Sequence, residues 1–186
     1  RDVERSRGLG DVYKRQALGL VAQNGVIYLL NPVTVDSQMT LSNVTFRPGK
    51  SNMLGMLYIS GDVTLNNIKI YNETPDGRSC QFSNDPIRVT GTLTIGKGTR
   101  IESFLGKSCI YVSQGTLNLN GGKIQGDTQN TVKHGGGIYA KNATVNVYEG
   151  IISRHSATYG GGIYADNSSI CLLYTSPSPR DLSTSR

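Results

Sequence analysis

The chain has no tryptophan, and nowhere in its 186 residues does an apolar run approach the length that spans a bilayer. The second absence excludes a transmembrane helix, and no membrane insertion is expected within this stretch. Cysteine is nearly absent too, with three residues. Acidic residues are scarce, thirteen against nineteen Lys and Arg, for a net charge of +6. What is abundant is glycine, 23 residues, and together with the missing tryptophan it points to turns and strands rather than long helices.

The positive charge lies largely at the two ends. Residues 1–16 and 171–186 carry seven Lys/Arg against four Asp/Glu, which leaves twelve against nine, or +3, for residues 17–170. A centre that is only mildly basic does not call for a nucleic-acid partner, and none is expected. The ends are also related to each other. Codons for Gly10 to Gln16 can be chosen so that their reverse complement, read one nucleotide out of frame, encodes Cys171-Leu172-Leu173-Tyr174-Thr175-Ser176. The complementarity continues outward to Arg186 on one side and Arg1 on the other.

The deduced DNA resembles a transposase-type sequencing adapter with its flanking tag. That resemblance implies that 1–16 and 171–186 are adapter-derived and disordered, and that 17–170 is an insert cut from a longer gene. Cys80 and Cys109 are then the cysteines of the insert. They either pair in an oxidising compartment or stay as buried free thiols, and both readings remain open.

Repetition dominates the insert. Gly135-Gly136-Gly137-Ile138-Tyr139-Ala140 returns intact as Gly160-Gly161-Gly162-Ile163-Tyr164-Ala165, and looser versions of the same unit begin at Val33, Leu57, Ile87 and Ile110, spaced by 24, 30, 23, 28 and 25 residues. Each unit opens with an apolar-x-apolar triplet, such as Leu57/Ile59 or Ile110/Val112. After a turn a second pair follows: Met39/Leu41, Val63/Leu65, Leu93/Ile95, Leu117/Leu119, Val145/Val147 and finally Ile170. A third pair is visible as Val44/Phe46 and Ile68/Ile70, and later as a glycine followed by Ile124 or by Ile151-Ile152.

Alternation with period two places both members of a pair on one face of a strand. One such coil cannot bury its own apolar face, so the coils must stack. The fold class read from this pattern is all-β, a single-stranded parallel β-helix of about six coils. Upstream, Val26–Leu30 reads as a first strand ended by Asn31-Pro32, and residues 17–24 read as the tail of a short N-terminal capping helix. The column Thr40, Thr64, Thr94, Asn118, Asn146 should face outward and hydrogen-bond along the stack.

The glycine hexapeptides with Glu149-Gly150-Ile151-Ile152 resemble the right-handed parallel β-helix repeats of bacterial surface and secreted proteins. They are similar to the repeats of polymorphic outer-membrane proteins and autotransporter passengers. The resemblance covers 33–170 and implies a right-handed coil, an extracellular or cell-surface location, no cofactor, and an adhesin-like or glycan-binding scaffold whose partners are glycans or other host-surface components. Two alternatives share the fold, a polysaccharide lyase or glycoside hydrolase and a purely structural stalk.

A phosphate loop is excluded, since no Lys-Ser/Thr follows the glycines and the next element reads as a strand, not a helix. Enzymes on this fold use clustered carboxylates, or an acidic calcium site with a nearby Arg or Lys base. The insert's acids are Asp36, Asp62, Glu73, Asp76, Asp85, Glu102, Asp127, Glu149 and Asp166, and no two fall on adjacent rungs of one outward column. His134 and His155 stand at different offsets from their glycines and read as turn residues rather than a metal or acid/base pair.

The first strands also share an outward column: Thr34, Tyr58, Arg88, Tyr111, Tyr139, Tyr164. Tyr111, Tyr139 and Tyr164 on successive rungs predict a flat aromatic strip for sugar rings, with Ser113, Lys141 and Asp166 supplying polar groups beside it. Mutual packing of the rings is the competing structural explanation. Two irregular stretches, 72–86 and 126–134, read as polar excursions from the coil.

Overall fold

A computed structural model describes residues 20–23, 26–102, 104, 106–126 and 131–173. The triplets become strands that stack side by side: Val33–Val35, Leu57–Ile59, Ile87–Val89, Ile110–Ser113, Ile138–Lys141 and Ile163–Asp166 form one six-stranded sheet in chain order. Every pairing in it is parallel. The chain is therefore a parallel β-solenoid, and among the described residues no helix occurs. None is thus long and apolar enough to cross a membrane.

The second and third apolar pairs build an eleven-stranded sheet. Thr116–Gln125 and Thr144–Ser153 are ten-residue strands that serve both faces: their first halves continue the stack of Met39–Ser42, Asp62–Asn66 and Thr92–Ile95, and their second halves that of Lys69–Tyr71 and Arg100–Glu102. Like residues fall in register along the axis, as in Val63↔Leu93↔Leu117↔Val145↔Ile170.

Such columns fill the interior. Ile59, Leu65, Ile87, Leu93, Ile110 and Leu117 are buried, whereas the equivalent Met39 and Ile170 on the first and last rungs are 39% and 38% exposed. A rung at the edge lacks a neighbour on one side, and its apolar residues keep contact with water.

The expected capping helix over 17–24 is absent from its described part. Leu20–Gln23 is a strand, paired antiparallel with Val26–Leu29, which in turn pairs with Thr45–Pro48. A physical reason favours this pairing: the first coil presents an unpaired edge that another strand satisfies.

Each irregular stretch contains a short strand, while residues 72–80 lie outside any strand, as an excursion from the coil would. Gln81–Phe82 pairs with Asn52–Met53, and Thr131–His134 pairs with Ser156–Tyr159. Within the first, buried Asn72 accepts the N–H of Cys80 at 2.9 Å and donates to its carbonyl at 3.2 Å, and Phe82 meets Phe104 edge-on at 5.6 Å. The final strand, Ser169–Leu172, spans the junction expected between 17–170 and 171–186. Residues 1–16 and 174–186 lie outside the described residues.

Candidate functional site

The outward column of the first sheet is continuous. Thr34 pairs with Tyr58, Tyr58 with Arg88, Arg88 with Tyr111, Tyr111 with Tyr139 and Tyr139 with Tyr164. Alternation turns Leu57 and Ile59 inward, so Tyr58 between them must face out, and the same holds on every rung.

Tyr111, Tyr139 and Tyr164 come together as predicted from their spacing, but not as a flat strip. The Tyr111 and Tyr139 centroids lie 5.1 Å apart with planes tilted by 57°, and those of Tyr139 and Tyr164 lie 5.4 Å apart at 64°. Rings on neighbouring rungs are close enough for their quadrupoles to oppose face-to-face stacking, and tilting relieves it.

His134 is part of this surface, which the sequence reading as a turn residue missed. It ends the strand Thr131–His134, and its ring lies 4.4 Å from Tyr164, 5.8 Å from Tyr139 and 5.3 Å from Tyr159, nearly parallel to the last at 18°. Its Nδ1 is buried and makes no hydrogen bond. The Asp166 carboxylate acts on the hydroxyl of Tyr139. Burial first, and then the charge of Asp166, raise the Tyr139 phenol above its ordinary value, so the hydroxyl remains a donor. Lys141 stands in register between Ser113 and Asp166 and is exposed.

A groove lies on the earlier rungs of the column. It holds about 230 Å³ and is walled by the long side chains of Tyr58, Arg88 and Tyr111 and by the short hydroxyl-bearing Thr34, Ser60, Thr90 and Ser113. The guanidinium of Arg88 sits 5.2 Å from the centre of the Tyr111 ring. Tyr58 owes its position to Gly55: a Cβ there would come within 2.7 Å of the ring's Cε1. The column sequence contained this groove, but its concavity depends on long and short side chains standing side by side on different rungs.

Other reactive groups are quiet. Cys80 and Cys109 are buried free thiols, and burial pushes them up to about 11 and about 12 respectively, which leaves no thiolate at neutral pH. The Asp85 carboxyl, also raised by burial, accepts the Ser108 N–H at 3.2 Å. Among the described residues no three His, Cys, Asp or Glu converge as a metal site. In comparisons with known proteins, no protein-family model, no curated protein and no solved structure matches the chain.

Proposed function

We propose that this solenoid is a display scaffold of the adhesin-like kind carried on bacterial surfaces, and that its outward column binds extended glycans without chemical turnover. The observation that supports it is the unbroken column from Thr34 to Tyr164, which sets four tyrosines and Arg88 on successive rungs of one face. Successive rungs are about 4.8 Å apart, close to the length a pyranose unit adds to an extended chain. Aromatic faces suit the apolar side of a sugar, and the hydroxyls of Thr90 and Ser113 suit its polar edge.

Tyr139→Ala combined with Tyr164→Ala should abolish retention on an immobilised glycan that the wild-type chain binds, measured by affinity electrophoresis. Unchanged retention sinks the ladder, and a wild-type chain that retains no glycan favours a purely structural stalk. The lyase or hydrolase reading has one observation in its favour, Arg88 beside the tyrosines as a cationic group. Release of cleaved product from acidic polysaccharides, with or without calcium, would establish that reading instead.

A further inference from the structure

We infer that the groove around Arg88 receives an acidic sugar unit of an extended glycan, with the Arg88 guanidinium pairing the sugar carboxylate and neighbouring units lying along the column. This rests on the glycan-ladder reading and narrows it to one ligand class.

Four features meet at Arg88. It is the one cation in the outward column of the first sheet, in register between Tyr58 and Tyr111. It is half-buried in the groove wall. The Tyr111 ring holds its guanidinium by a cation–π contact, which fixes the planar fork without using its N–H donors. Its charge is also not neutralised by an ion pair, since those among the described residues engage Arg47, Arg78, Lys97 and Arg100 instead. Asp85 acts on it electrostatically without forming an ion pair, and the Asp85 Oδ1 accepts the Ser108 N–H.

A fixed fork with free donors matches a planar carboxylate in two parallel hydrogen bonds. Thr34, Ser60, Thr90 and Ser113 line the same groove with groups that can donate to or accept from sugar hydroxyls.

The test is retention of the full chain on polygalacturonate, on its methyl ester and on dextran sulfate, at roughly 0.15 M salt. Arg88→Gln should weaken binding to polygalacturonate by about tenfold or more, while Lys69→Gln, an equal charge change on the other sheet, should alter it by less than about twofold. Arg88→Lys should recover only part of the loss, because an ammonium lacks the fork.

Equal effects of Arg88→Gln and Lys69→Gln, or wild-type binding to the ester as tight as to the acid, overturn the inference. So does a loss on dextran sulfate as large as that on polygalacturonate, which would make any anion sufficient. If neutral glycans bind through the tyrosines but acidic ones gain nothing from Arg88, the ladder stands and this inference fails. If no glycan of either kind binds, both fail together.

Discussion

His155 shows how one side chain can tie a coil to the solution pH. Its Nε2 lies 3.1 Å from the carbonyl of Ile124, and its ring fills space that only glycine leaves open, since a Cβ on Gly126 would meet it at 2.3 Å and one on Gly137 at 3.0 Å. Burial lowers the imidazole below its ordinary value of 6.5, outweighing the opposing hydrogen bonds to Ile124 and Gly136. The unfolded chain therefore takes up the proton first as pH falls. The contribution of neutral His155 is complete above the unfolded value and is lost as pH drops through the lower folded one. Urea midpoints should accordingly decrease between about pH 8 and about pH 5, and less so in His155→Gln. Identical pH slopes for the two proteins would rule this out.

At the scale of the strand and its corner, the glycines have two separate roles. Gly135 and Gly160 adopt φ of +56° and +60°, where a side chain is strained. Gly136 and Gly137 have ordinary backbone angles but lie against the carbonyls of Gly161 and Gly162, 2.7 and 2.6 Å from where a Cβ would be. A similar ladder runs through another corner, where a Cβ on Gly91 would come within 2.3 Å of the Gly61 oxygen and one on Gly115 within 2.5 Å of the Gly91 oxygen. These obstacles are backbone atoms, which cannot swing aside.

Gly91→Ala should cost on the order of 1–3 kcal/mol or more in chemical denaturation. Gly161→Ala, whose nearest obstacle is 3.4 Å away and whose φ is unstrained, should cost well under half as much. Comparable losses at both sites would show that coil approach is not what excludes the side chain. The outward polar ladder is a weaker cement: Asn146 donates to Asn118 at 2.8 Å, and Asn118 to Thr94 at a longer 3.4 Å.

Over the whole molecule, stability should follow position along the axis, because each rung contacts only its neighbours. Ile110, on an interior rung, is fully buried, while Ile163 at the equivalent place on the last rung of its sheet is only partly so. Ile110→Ala should cost about 2–5 kcal/mol, and Ile163→Ala less than half of whatever is measured for Ile110. Equal costs in urea titrations would mean that the last rung is packed as tightly as the middle. The same one-dimensional logic explains why six strand starts were readable in advance: each unit repeats the same local requirement, two apolar residues inward and one residue out.

The sequence by itself determined the strands and which face of each points inward, because a one-residue slip in pairing would turn Leu57, Ile87, Ile110 and Ile138 outward. It likewise placed Tyr111, Tyr139 and Tyr164 on one outward line. Tertiary structure decided what depends on neighbours distant in the chain: the hairpin that covers the first edge, the tilt of the rings, the entry of His134 among the tyrosines, and the free state of Cys80 and Cys109. It also formed a groove around Arg88, whereas the sequence leads to the expectation of a flat strip at the three tyrosines. Alternation states which way a side chain points, but a groove is set by the lengths of side chains on adjoining rungs, and only stacking brings those together.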